Sequence, residues 1–112
     1  MIVLKQQHCE LSRSDSMAVS DTELKGFINQ IPDWQILERD NIRQLERTFR
    51  FASYRAALVF TQRVGELAEA EDHHPVIVTE WGRVRVSWWT HTIRGLHLND
   101  LICAAKTDQL AD

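Results

Sequence analysis

Three histidines and three acidic residues lie close together in the second half of the chain and have the side chains needed for proton transfer. They are Glu69, Asp72, His73, His74, His91 and Asp100. Histidine is the only side chain with an unperturbed pKa near neutrality, so a cluster of histidines can hold a proton donor and a proton acceptor at the same pH. The residue types therefore indicate general acid-base chemistry.

Pro75 predicts where the paired histidines lie. A proline disfavours the α conformation in the residue before it, so a helix that leads into this segment should end before His74. Functional side chains are often found at the boundaries of helices and strands. We therefore expect both imidazoles just beyond the C-terminus of a helix.

Hydrophobic periodicity and capping signals predict the elements that position these residues. Ser20 and Glu23 form a potential capping box, and Ser53 is a suitable N-cap for a long central helix. The predicted helices span about 20–30, 53–69 and, from His97 or Asn99, to about 110; the predicted strands span about 34–38, 42–51, 76–79 and 83–90. The order helix, hairpin, helix, hairpin, helix predicts an α+β fold, a two-layer sandwich with three helices on one face of a four-stranded antiparallel sheet.

Length and composition are those of one small domain. The chain has 112 residues, of which 44 % are hydrophobic. Residues 1–19 show no periodicity and are predicted to be a flexible arm, mobile or loosely docked, while residues 20–112 form the domain. The first 20 residues also lack an apolar run suited to a signal peptide or a membrane span, so a cytoplasmic location is expected.

Charge and cysteine content exclude two further classes. The chain has 13 basic and 16 acidic residues, which leaves no basic excess for direct binding to nucleic acid. Cys9 and Cys103 are too few for a disulfide framework, and both are expected to be free thiols.

The spacing of the chemical residues resembles the motif of the pterin-4a-carbinolamine dehydratases. Every fixed position of that motif is filled, by Glu69, His73-His74-Pro75, Trp81, His91 and Asp100. The likeness spans roughly residues 20–110 and includes Ile31-Pro32-Asp33-Trp34. Several stretches look particularly similar to bacterial members associated with phenylalanine hydroxylase: 8–10, 79–82, 88–91 and 95–100.

This resemblance implies a hydro-lyase that converts a 4a-hydroxytetrahydropterin to the quinonoid dihydropterin during tetrahydropterin recycling, in support of an aromatic amino acid hydroxylase. It implies that His73 and His91 act as acid and base and that His74 mainly binds and orients the pterin. The expected substrate-binding residues are Glu69, Asp72, Trp34, Trp81 and Asp100, although Asp100 could be architectural and Asp72 a solvated loop acid. Because the pterin is the substrate, no bound cofactor or metal is expected.

Three other functions stay open from the sequence. Some animal members of the family are dimerisation cofactors of a homeodomain transcription factor, so a non-catalytic or regulatory binding protein is one alternative. A dehydratase-like role in another pterin pathway, such as molybdopterin metabolism, is the second. Zinc binding is the third, but the chain lacks a recognised zinc pattern at fixed helical spacing.

A homodimer or homotetramer is expected, because a sheet covered on one side leaves an open face and an edge strand to protect. Trp88 and Trp89 are consecutive in a predicted strand, so their side chains should project from opposite faces. We predict Trp88 in the core and Trp89 at a contact between copies.

Overall fold

The computed structural model describes residues 2–13 and 15–111 and confirms the predicted order of helices and strands. The helices are α1 (Asp21–Phe27, extended by a 3₁₀ turn at Ile28–Gln30), α2 (Tyr54–Glu71) and α3 (Leu98–Gln109). The strands are β1 (Gln35–Arg39), β2 (Ile42–Arg50), β3 (Val76–Glu80) and β4 (Arg83–Trp88). Within the described residues, no helix is both long and apolar enough to cross a membrane.

The predicted caps are present at the first two helices. Ser20 Oγ accepts the backbone N–H of Glu23 at 3.1 Å, and the Glu23 carboxylate accepts the N–H of Ser20 at 3.0 Å. Ser53 Oγ likewise accepts a backbone N–H in the first turn of α2. At α3 the N-cap is His97, whose Nδ1 accepts the N–H of Asn99 at 3.0 Å, so the alternative of Asn99 as the cap is wrong.

The four strands form one antiparallel sheet in the order β1-β2-β4-β3. Side chains of β2 and β4 project from one face into a core shared with α2 and α3, including Leu45, Phe49, Val84, Val86, Phe60, Val64 and Leu101. Trp88 is fully buried in this core, as predicted. Because Val76 pairs with Ser87, the start of β3 and the end of β4 lie at the same end of the sheet. The turn between these strands lies at the other end.

The N-terminal segment, predicted to be a mobile or loosely docked arm, contacts the domain at Leu4 and Cys9. Leu4 is fully buried, and its N–H donates to Gln30 Oε1 at 2.8 Å. Further along, the N–H of Cys9 donates to Glu71 Oε1 at 2.7 Å, at the end of α2. Single apolar residues and backbone groups make these contacts, so the segment has no periodic pattern that could have predicted them.

Candidate active site

The C-terminus of α2 sets the direction of the paired histidines. Asp72 has φ 50° and ψ 44°, which is the left-handed region. The N–H of Asp72 donates to the carbonyl of Glu69 at 3.3 Å, and the N–H of His73 donates to the carbonyl of Ala68 at 3.1 Å. This is the Schellman pattern that turns a chain out of a helix. It ends α2 just before the histidines, as predicted, and gives Asp72 a backbone role in the turn.

His73 is buried and held by two contacts. Its Nε2 lies 2.6 Å from Oδ1 of Asp100, and an ionised carboxylate only accepts hydrogen bonds, so Nε2–H is the donor. Its ring also stacks on Trp88, with centroids 5.5 Å apart and planes 15° apart. Among the described residues, Nδ1 of His73 has no hydrogen-bond partner, although no buried side-chain nitrogen or oxygen is left unsatisfied. Nδ1 is therefore the ring nitrogen that keeps some contact with solvent, although the His73 side chain as a whole is only 8 % exposed.

Asp100 orients His73 through a carboxylate that is fully used. Its Oδ2 accepts the Thr90 hydroxyl at 2.7 Å and the backbone N–H of His97 at 2.9 Å. Asp100 also lies in the first turn of α3, where the helix dipole favours a negative charge. Because Asp100 is 0 % exposed, it cannot contact a substrate from this position. The expected substrate-binding role is thus replaced by the architectural one, and Thr90 is a supporting residue that the sequence analysis did not single out.

His74 forms a second imidazole–carboxylate pair. Its Nε2 lies 2.6 Å from Oε2 of Glu69. The two side chains are 56 % and 76 % exposed, so solvent screens the pair and its contribution to stability is small. Glu69, expected to bind the substrate, thus also orients the imidazole of His74.

His91 is exposed and lies in a turn that follows β4. The N–H of Thr90 donates to the carbonyl of Gly95 at 2.8 Å, which closes the turn. The His91 ring rests on Trp89, with centroids 4.7 Å apart and planes 33° apart.

All three imidazoles lie at the end of the sheet where β3 begins and β4 ends, but each has its own partner. Trp88 is the last residue of β4, and Trp89 follows it with its side chain pointing the opposite way. His73 and His91 therefore approach that strand end from different sides. Among the described residues, no hydrogen bond joins two of the three imidazoles.

Trp34 and Trp81 do not lie with the imidazoles, contrary to the prediction that they line the pocket. Trp34 is buried, and its Nε1–H donates to Oδ1 of Asp108 at 2.8 Å. Asp108 lies about 12 Å along α3 from Asp100 at the usual helical rise. Trp81 is 71 % exposed in the β3–β4 turn, about 16 Å along the hairpin from the histidines. The family motif predicts that these positions are aromatic, but it does not predict on which face or at which end of the sheet the two side chains lie.

The contacts of the site residues are typical of groups that transfer protons. In the part of the chain that the structure describes, no three histidine, cysteine or carboxylate side chains are grouped to hold a metal ion. His73 and His74 instead bind one carboxylate each, which fixes ring orientation. Such pairs can donate or accept a proton at a bound molecule.

Fold and site together define a small α+β domain with an acid-base site at one end of its sheet. The family model for pterin 4 alpha carbinolamine dehydratase matches residues 17–110, so the chain belongs to this family. The chain is also similar to the crystal structure of a transcriptional coactivator/pterin dehydratase from Brucella melitensis. The TM-score is 0.76 at 26 % sequence identity, covering 86 % of this chain and 100 % of that chain. These similarities confirm the family predicted from the motif, whereas the link to phenylalanine hydroxylase stays a prediction.

Proposed function

We propose that this protein is a hydro-lyase that dehydrates a 4a-hydroxytetrahydropterin to the quinonoid dihydropterin. The observation that carries the proposal is the buried His73–Asp100 pair, which holds the ring through Nε2 and leaves Nδ1 without a partner among the described residues. Family membership supports the same activity. The reaction requires only proton transfer, and the imidazoles of the site supply groups suited to it.

The proposed steps use His73 and His91 in different roles. Protonated at Nδ1, His73 donates to the 4a-hydroxyl, which leaves as water while the N5 lone pair forms the new C=N bond. His91 accepts the ring N–H proton, so the substrate loses one hydroxyl and one proton in total. Because His91 is exposed, it can return that proton to solvent, and His73 can take up another.

The activity can be tested by following the carbinolamine released by a hydroxylase. Its absorbance should decay faster with the purified protein than without it, and equal rates would refute the proposed activity. Treatment with EDTA should leave the acceleration unchanged. Loss of activity in EDTA with recovery in zinc would instead support the metal alternative.

His74→Ala is expected to weaken pterin binding more than it slows turnover at saturation. His74 and its partner Glu69 are exposed beside the buried pair, which suits contact with the substrate rather than the proton transfer assigned to His73. We expect KM to rise several-fold with kcat nearly unchanged, as for loss of binding shared by ground and transition states. Steady-state rates over a range of pterin concentrations check this. A fall in kcat alone would exchange the roles of His74 and His73.

We further propose that the product feeds the recycling of the tetrahydropterin used by an aromatic amino acid hydroxylase. The motif's likeness to hydroxylase-associated bacterial members supports this role. A role in another pterin pathway would use the same imidazoles on a different pterin. Adding the protein to a hydroxylase and a dihydropterin reductase should sustain hydroxylation at limiting pterin, and no gain there would favour the other pathway.

A binding role is the second candidate, and exposed apolar residues on α2 favour it. Tyr54, Leu58 and Val59 are all exposed on the first half of this helix. The similar Brucella protein is described as a transcriptional coactivator as well as a dehydratase. Leu58→Glu should then abolish partner binding while dehydration persists, because α2 reaches the imidazoles only at its other end.

Self-association through the open face of the sheet is also proposed. This face carries a polar network in which Glu46 binds Arg39 at 2.7 Å and accepts the Ser87 hydroxyl at 2.8 Å. Burial acts to raise the pKa of Glu46, but the hydrogen bonds from Arg39 and Ser87 outweigh burial and lower the pKa, so the network stays charged. Trp89 lies beside it, at a groove of about 480 Å³. A half-buried indole next to satisfied polar groups suits a contact between copies.

Trp89→Glu is expected to shift the assembly toward monomer, because it replaces a large apolar anchor with a charge. Size-exclusion chromatography with light scattering measures this shift. Trp81→Glu is the matched control, since Trp81 is exposed at the opposite end of the hairpin and should leave the assembly intact. A monomeric wild type would refute self-association, and an oligomer insensitive to Trp89→Glu would move the contact elsewhere.

A further inference from the structure

The two cysteines of the chain are in direct contact, although 94 positions separate them in sequence. The Sγ atoms of Cys9 and Cys103 lie 3.3 Å apart. We propose that Cys9 and Cys103 form a redox modification site, which low-molecular-weight disulfides convert to an intramolecular disulfide that ties the N-terminal arm to α3. Reducing compartments keep most cysteines as thiols, and the disulfides that do form there are usually transient or redox-sensing.

Hydrogen bonds at Cys9 and at Glu10 hold the N-terminal arm against the domain. They position the Cys9 thiol next to Cys103. The N–H of Cys9 donates to Oε1 of Glu71 at 2.7 Å. The next residue, Glu10, exchanges two hydrogen bonds with the Asn99 side chain, at 3.0 and 2.7 Å. Burial acts to raise the pKa of Glu71, but hydrogen bonds from Cys9 and His8 outweigh burial and lower it, so this acceptor stays charged.

The two thiols are not equivalent, which sets the order of reaction. Cys9 is partly exposed, whereas Cys103 is fully buried. The Cys9 thiol donates to the carbonyl of Asn99 at 3.6 Å, so Cys103 is the donor in the contact between the sulfurs. This hydrogen bond to Cys9, together with burial, raises the pKa of the Cys103 thiol and keeps it protonated. An incoming disulfide therefore reacts with Cys9 first.

Two exchange steps complete the modification. The Cys9 thiolate attacks one sulfur of the small disulfide, forming a mixed disulfide and releasing one small thiolate. Cys103 then loses its proton to water and attacks Sγ of Cys9, which releases the second small thiolate. The protein loses two protons and two electrons, and the small disulfide takes them up to become two thiols. Contact between the sulfurs makes the second step effectively unimolecular, which offsets the low thiolate fraction of Cys103.

The Cys9–Cys103 disulfide would hold the N-terminal arm at the C-terminus of α2 and the N-terminus of α3, close to the imidazoles. Glu71, which binds the arm, is two residues before His73, and Asn99 immediately precedes Asp100. A disulfide across a long loop restricts the unfolded chain, so the oxidised protein should melt about 10 °C higher than the reduced protein. The modification is independent of pterin chemistry, and its test does not depend on activity.

The test is to incubate the native protein with oxidised glutathione, quench in acid and count free thiols under denaturing conditions. We expect both thiols to disappear, the mass to fall by two hydrogens and a Cys9–Cys103 peptide pair to appear in a digest. Dithiothreitol should restore both thiols and reverse the rise in melting temperature. The thiol count of the wild type alone decides the outcome, even if a cysteine variant folds poorly.

Two variants sharpen the result. Cys103→Ala should stop at a glutathione adduct on Cys9, and Cys9→Ser should leave Cys103 unmodified because it is buried. A wild type that retains both thiols, accumulates only the Cys9 adduct or forms cross-links between chains would overturn the proposal.

Discussion

The double variant His73→Ala, His91→Ala is expected to lose nearly all protein-dependent dehydration, whereas each single variant keeps part of it. A lost general acid or base slows a step limited by proton transfer by about 10²- to 10⁴-fold. His73 is held by Asp100 and His91 by Trp89, so removing one ring leaves the support of the other intact. The remaining imidazole can then take over part of the missing transfer.

The rates are compared in the carbinolamine assay after subtraction of the spontaneous dehydration, which occurs without protein. His8→Ala is the matched control, because it removes an exposed imidazole outside the site. Melting temperatures separate slower chemistry from partial unfolding. A double variant no slower than His73→Ala alone would remove His91 from the reaction.

The order of the elements could be predicted because each carries a local signal. Ser20 with Glu23 and Ser53 provide caps that depend on neighbouring residues only. Strand β2 alternates strongly enough for Leu45 and Phe49 to be assigned to the covered face. Most differences are shifts of one or two residues at element ends, where backbone geometry depends on packing.

The candidate site residues could be named from the sequence, but most of the contacts between them could not. The motif identified His73, His74 and His91, and the break at Pro75 placed the first two correctly. The pairing of carboxylates with imidazoles depends on how α3 packs against the end of α2. That packing brings Asp100 to His73 across 27 positions and leaves Glu69 to His74.

Contacts far apart in sequence explain the remaining differences. Leu4 has no periodic neighbours, yet it is buried. The contact between Cys9 and Cys103 needs the arm to cross the end of α2, and no short motif encodes that path. Trp34 and Trp81 matched a family pattern by type, but the fold gives one to the core and the other to the far turn.

Asp100→Asn is expected to have the second large effect, because it changes which nitrogen of His73 carries the proton. The amide oxygen must take the place of Oδ2, which accepts from Thr90 and from the backbone of His97. The amide NH₂ then faces Nε2 of His73, and two donors cannot face each other. Nε2 becomes the acceptor, so the ring proton moves to Nδ1.

The altered tautomer prevents His73 from acting as the acid. Nδ1 can no longer accept a proton, and a doubly protonated ring would again set Nε2–H against the amide. In a catalytic triad, the same exchange of aspartate for asparagine costs about 10⁴-fold through the wrong tautomer. We expect kcat to fall at least about 10²-fold here, with KM little changed.

Nitrogen NMR of His73 separates this positioning role from a purely structural one. The wild type should show the proton on Nε2, and Asp100→Asn should show it on Nδ1. Asp100→Ala instead leaves three buried donors without an acceptor and should destabilise the fold by about 3 kcal/mol.

Asp108→Asn is the control on the same helix, because the partly buried Asp108 also accepts hydrogen bonds but binds Trp34 and Arg47 at the far end of α3. Burial raises the pKa of Asp108, and its hydrogen bonds offset that effect only in part, so its replacement perturbs a comparable carboxylate. It should change stability and leave the His73 tautomer and kcat unchanged. If Asp100→Asn kept the wild-type tautomer and rate, Asp100 would be only a cap of α3, and proton transfer would have to be assigned to His74 and His91.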